Sequence, residues 1–150
     1  MDHRTLDHHT SARVLLGLLT LVQGAATLAI DLNHTHASNP LWLRHARFHL
    51  VWQSLSTALL SLVGVAVVWS SGPFPRQRFY LGVALASVPL LAFLIALISR
   101  KLYGGSLSDP NGIPQARLLV FGKAFSVDGN LAAVMLALVS LMLIMALYRW

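Results

Sequence analysis

The chain contains no cysteine and no glutamate. The first absence rules out disulfides and thiolate metal ligands, and it removes the usual signal for a redox compartment. The second leaves all carboxylate chemistry to five aspartates. Charge of either sign is scarce: Asp, Glu, Lys and Arg together make 11% of the sequence, against 56% hydrophobic residues. Soluble domains carry about a quarter charged residues. A chain this poor in charge cannot cover itself in water, so composition points to a membrane, and 150 residues suit one domain.

A net charge of +6 would direct a soluble chain towards nucleic acid. Here no basic cluster is interleaved with aromatics as a nucleic-acid site requires. The eleven Lys and Arg instead read as interfacial anchors and topology signals. The expected partners are the lipid bilayer and an apolar small molecule, with no nucleic acid. Gly17, Gly24, Gly64 and Gly82 would let the helices pack alone or as a homo-oligomer.

Four apolar runs are present, at about 12–30, 48–69, 79–98 and 131–148. A span needs about 20 residues to cross about 30 Å of hydrocarbon, and a helix is the only open-ended structure that satisfies its own backbone there. The expected fold is all-α: an integral membrane four-transmembrane-helix bundle forming one domain over 1–150. The first run also looks like a secretory signal, with Arg4 and Arg13 ahead of it and small residues near Ala29. Its apolar stretch is longer than a signal core, however, and Thr20, Gln23, Thr27 and Asp31 recur along one helical face. A discarded signal has no use for such a stripe.

Helices two and three are joined by the short "SSGPFPRQR". Helices three and four are joined by some thirty residues rich in turn signals, among them Gly104-Gly105 and Asp109-Pro110-Asn111-Gly112. Within this connection "ARLLVFGKAF" reads as an interfacial or re-entrant segment, or as an early start of helix four that would draw Asp128 into the membrane. Gly129 and Asn130 favour a break. Four crossings place both termini on one side. Asp31, Asn33, His34, His36, His45, His49, Asp109 and Asp128 then gather at the opposite face. Five cations fall on the termini side (Arg4, Arg13, Arg76, Arg78, Arg149) and six on the other (Arg44, Arg47, Arg100, Lys101, Arg117, Lys123). The positive-inside rule cannot separate these counts. Cytoplasmic termini in the cell (inner) membrane are expected, on the ground that motif-side cations have work at a site.

That site centres on "DLNHTHASNPLWLRHARFHLVWQ", residues 31–53, which holds four of the seven histidines. His45 and His49 are four apart at the start of helix two, so both rings share a face, continued by Gln53 and Thr57. Such a pair can grip one metal ion. His34 and His36 are two apart and would point the same way in extended backbone, before Asn39-Pro40 turns the chain. His34, His36, His45 and His49 with Asp31 make an N/O ligand set for a divalent transition metal: zinc, iron, copper or manganese. Asp31, Asn33, Gln53 and Asp128 are the candidate catalytic residues. Asp31 would move protons, and the other three would hold ligands in place.

Plainer readings stand beside this one. Histidines near a membrane interface are often only polar anchors, and imidazole can serve acid–base chemistry without metal. Haem is poorly served, since helices three and four contain no histidine. His3, His8 and His9 fall in a polar N-terminal tail and are given no role. Asp128 is either a site residue or the N-cap of helix four. Asp31 sits at a helix C-terminus, against the macrodipole, which calls for a partner in Arg44, Arg47 or a bound ion.

The motif resembles that of a family of small four-helix membrane proteins of unassigned function, which share Asp-x-Asn-x-Thr-His, Asn-Pro-x-Trp and His-Ala-x-Phe-His. The matching positions are Asp31, Asn33, Thr35, His36, Asn39, Pro40, Trp42, His45, Ala46, Phe48 and His49. Leu43 stands where that pattern usually has proline, and His34 matches an optional position. The resemblance implies a shared site and brings no reaction. The chain is similar to the sterol-isomerase-like membrane proteins in being a small helical bundle, and to the glutathione-using ones in helix number, length and basicity, but the helical glutamates of both are absent and neither is a match. The expected function is a metal-dependent or acid–base membrane enzyme acting on a lipid-like, terpenoid-like or polyketide-like molecule by isomerisation, cyclisation or oxidation. The rival is a non-enzymatic binding or transport module, or an accessory subunit of a membrane complex.

Overall fold

The computed structural model describes the backbone of residues 3–150 and the side chains of 7–119 and 121–150. Its elements run α1 (His3–Asp31), α2 (Arg44–Trp69), α3 (Pro75–Ser99), a 3-10 turn (Arg100–Leu102), β1 (Ala116–Val120), β2 (Lys123–Val127) and α4 (Gly129–Arg149). The four α-helices are each long and apolar enough to cross a membrane. They form a bundle in which α1 packs on α2 and α4, α3 packs on α2 and α4, and α1 also meets α3.

Each helix starts earlier than the apolar run inside it. In α1 the segment before Ala12 contains no proline or glycine to stop a helix, so the expected tail is helical from His3. His9 is therefore placed, and its ring stacks on Tyr148 of α4 with centroids 4.5 Å apart. The side chains of His3 and Arg4 lie outside the described residues. Helix α2 begins at Arg44, after Leu43 in extended conformation. In α3 the leading Pro75 takes the first helical position, where its missing N–H costs nothing.

Around the chain termini the bundle is dry and close-packed. Phe79 and Tyr148 stack face to face, 3.7 Å between centroids and 5° between planes. Leu16, Val68 and Val83 belong to the same buried cluster. Gly82 lets α3 approach α2: a methyl group there would overlap Cγ2 of Val68. Arg13 reaches across from α1 and donates to the carbonyl of Val68 at 2.7 Å, while its guanidinium lies 4.9 Å from the Trp69 ring. It thereby supplies a donor to the end of α2, whose last carbonyls lack intrahelical partners.

Towards the other face the contact between α1 and α2 is polar. The stripe expected on α1 faces this seam. Thr20 is 2% exposed and its methyl group approaches Gly64. Gly24 abuts Ser61 and Ala58 so closely that a methyl would lie 2.9 Å from Ser61. Thr20, Thr27 and Ser61 return their hydroxyls to carbonyls one turn back in their own helices. The polar atoms of Gln23 are buried with no hydrogen-bond partner.

The third connection differs from expectation. "ARLLVFGKAF" is not an early start of helix four. It is an antiparallel hairpin pairing Ala116 with Val127 through to Val120 with Lys123. Phe121 and Gly122 form its two-residue turn, with φ of 49° and 74°. Two positive φ values match the right-handed twist of the strands, and glycine adopts one at little cost. The hairpin ends at Asp128, so α4 starts at Gly129 and Asp128 stays outside it.

Candidate functional site

The turn after α1 is built by two asparagines. Asn33 donates its amide to the carbonyl of Ala29, and its Oδ1 accepts from the N–H and the hydroxyl of Thr35 at 2.8 and 2.6 Å. Asn39 is 4% exposed. Its Oδ1 accepts the N–H of Leu41, and its amide donates to the carbonyl of Asn111 at 3.0 Å. That last bond joins the first connection to the third across 72 residues. Asp109 helps from the other side, its carboxylate accepting the N–H of Asn111 at 2.7 Å. The two connections do lie together at one end of the bundle. His9 against Tyr148, and Arg13 against Trp69, hold the termini and the second connection at the other.

His36 is oriented within this turn by a hydrogen bond through Nδ1. The Thr35 hydroxyl spends its one proton on Asn33, so the 2.7 Å contact from Thr35 Oγ1 to His36 Nδ1 requires the ring to donate from Nδ1. In the neutral ring this tautomer leaves the lone pair on Nε2, the atom that would accept a proton or a metal ion. Trp42 meets the ring edge-on at 5.3 Å. The backbone here is turned, not extended, and His34 is exposed while His36 is half-buried. The two do not form the same-sided pair expected of an extended segment.

His45 and His49 do converge. Their Nε2 atoms are 3.0 Å apart, and their ring planes are close to perpendicular at 89°. One ring donates and the other accepts. The pair is exposed on the outer side of α2, with Phe48 and Trp52 packed around His49 at 5.8 Å each. Gln53 is also exposed on α2.

Asp31 has a partner that the sequence did not suggest. The carboxylate accepts from the hydroxyl of Ser54 at 2.7 Å, and among the described residues no ion pair with Arg44 or Arg47 is formed. Ser54 is fully buried and also lies 2.8 Å from the carbonyl of Leu50, so its single proton is shared between the two acceptors. The clue was available in the sequence, since Ser54 begins the small polar face of α2 that continues at Ser61. Asp128 accepts the N–H of Leu131 at 3.0 Å and is the N-cap of α4.

Sequence reasoning also missed a shallow depression of about 390 Å³, lined by Ala37, Arg44, Arg47, Phe48 and Val51. Its signal was the i, i+3, i+4, i+7 spacing of the last four residues, which is one helical face. Two guanidinium groups there stand beside an aromatic and an aliphatic wall.

The candidate residues are thus divided among separate places. His45 and His49 form one pair, His36 is held in the turn, Asp31 ties α1 to α2, and Asp128 caps α4. Among the described residues no three histidine or aspartate side chains come together as a metal-holding group. No protein-family model matches the chain, and no curated protein or solved structure does either. The resemblance to small four-helix membrane proteins rests on the motif between Asp31 and His49 alone.

Proposed function

We propose that this chain is a membrane protein that binds a divalent transition metal through His45 and His49 and seats a lipid-like small molecule beside it. The observation that supports this is the 3.0 Å approach of the two Nε2 atoms on successive turns of α2. Adjacent ligands around a tetrahedral zinc, at about 2.0–2.1 Å from the ion, lie about 3.3 Å apart. A small opening of the pair would admit an ion in place of the shared proton. The open depression at Arg44 and Arg47 sets two guanidinium groups beside apolar side chains. Phe48 and Val51 would take the apolar body of such a molecule, and the arginines its polar head.

Two uses of the ion follow. In a binding module or a subunit of a larger membrane complex, the ion organises an assembly. In an enzyme it would act as a Lewis acid or oxidant for isomerisation, cyclisation or oxidation, and would need an open coordination position. The dispersal of Asp31, His36 and Asp128 favours the first use. Assigning Arg44 and Arg47 to the site reduces the motif-side cations from six to four against five, which favours cytoplasmic termini.

Metal analysis of the detergent-purified protein tests the proposal. Bound zinc, iron, copper or manganese is expected, and His45→Ala or His49→Ala should abolish it. Metal-free protein that takes up none of these ions would end this reading.

A further inference from the structure

We propose that the His45–His49 pair is half of a metal site, completed by the same pair from a second copy of the chain, so that one ion joins two α2 helices. This rests on the metal reading above and adds who supplies the remaining ligands.

Two imidazoles do not hold a zinc-like ion firmly; three or four protein ligands are usual. The chain has no cysteine or glutamate to add. Asp31 is tied to Ser54 at the seam between α1 and α2 and does not group with the pair. His36 is the other motif imidazole that takes part in a hydrogen bond. It is held in place by Thr35 and Asn33 on one side and Trp42 on the other, in a turn tied down through Asn39 to Asn111. No other histidine or aspartate among the described residues joins the pair to make a third ligand. The pair itself is exposed and faces away from the bundle. A two-fold axis beside it would bring two equivalent pairs to one point and close a four-nitrogen tetrahedron, the self-complementary arrangement that symmetric dimers use.

The rest of the helix face is compatible with that axis. Below the pair, Phe48, Trp52, Ser56, Leu59 and Val63 follow at three- and four-residue spacing, all exposed and none charged. Apolar contact alone would not choose a protein partner over lipid, because lipid tails are as apolar as leucine. Directional metal bonds would. The location is also reachable by ions. Helix α2 has 26 residues, about 39 Å at 1.5 Å per residue, against about 30 Å of hydrocarbon. His45 and His49, at its first turns, therefore lie at the headgroup boundary. On binding, the ring that donates from Nε2 shifts its proton to Nδ1, and all four imidazoles coordinate as neutral ligands.

The test is zinc titration of the full-length chain in detergent, with zinc content and molecular mass measured together. The expected result is a zinc-dependent dimer holding about half an ion per chain. Both zinc and dimer should be lost in His45→Ala and in the milder His49→Gln, with helical content unchanged by circular dichroism. The absence of native cysteine allows a second readout: Ser56→Cys should cross-link between copies through a short bis-maleimide only when zinc is present, and Ile95→Cys on α3 should not. One ion per monomeric chain would overturn the dimer while leaving the metal reading intact, and its loss in His36→Ala would identify the in-chain ligand. A dimer indifferent to zinc would also overturn it. A chain that takes up no zinc, iron, copper or manganese would remove both.

Discussion

The carboxylate of Asp31, at the end of α1, accepts the hydroxyl proton of Ser54, one helix away and 23 residues later, at 2.7 Å. The acid that stands against its own helix dipole is held by a neutral donor buried in the neighbouring helix. A hydrogen bond to a charged group contributes about 1.5–3 kcal/mol. Ser54→Ala should therefore lower stability by about 1–3 kcal/mol in a detergent unfolding assay, and Asp31→Asn should cost less than Asp31→Ala because the amide oxygen still accepts. If Asp31→Ala left unfolding unchanged but abolished metal or small-molecule binding, Asp31 would belong to a binding site and not to the tie.

Gly82 of α3 packs against Val68 of α2 and Leu16 of α1. A methyl there would overlap Val68 Cγ2 and lie 3.4 Å from Leu16 Cδ2. Helix propensity alone favours alanine over glycine by about 1 kcal/mol, whereas overpacking a close contact costs about 1–3 kcal/mol. Gly82→Ala should be destabilising despite the propensity, and adding Val68→Ala should restore part of the loss. A double-mutant cycle measures that coupling. Additive effects would mean that the two residues do not touch.

Asp128 accepts the N–H of Leu131 and ends the connection that carries the hairpin. Losing an N-cap costs about 1 kcal/mol. Asp128→Ala should lower the unfolding midpoint, Asp128→Ser should largely preserve it, and neither should change zinc uptake. Loss of zinc uptake at unchanged stability would move Asp128 from cap to site.

Much of this arrangement was legible from local patterns. Four apolar runs announced four helices, and the recurrence of Thr20, Gln23, Thr27 and Asp31 marked the face of α1 that meets α2. The four-residue spacing of His45 and His49 announced a pair, because helix geometry brings such residues together without help from the rest of the chain. Other features were not legible. "RLLVFGKAF" is apolar enough for a membrane or a strand, and short apolar runs do not distinguish the two. Only the positive φ at Phe121 and Gly122 commits it to a hairpin. Asp31 was expected to find an arginine or an ion, because its need for a partner is local whereas the identity of that partner is not.

The sequence by itself therefore determined the all-α class, the four helices long and apolar enough to span a membrane, and the histidine pair on α2. These follow from composition and from periodicity within single helices, where each residue's neighbours are set by spacing. Only the tertiary structure decided that the remaining candidates stay apart. Asn33 and Thr35 hold His36 in the turn, Asn39 binds Asn111 across 72 residues, and Ser54 claims Asp31. The Asn39–Asn111 and Asp31–Ser54 bonds join residues 72 and 23 apart and so depend on how the helices pack, whereas His36 is held by neighbours within its own turn. The motif that reads as one cluster along the chain is in space an outward-facing pair and three separate anchors.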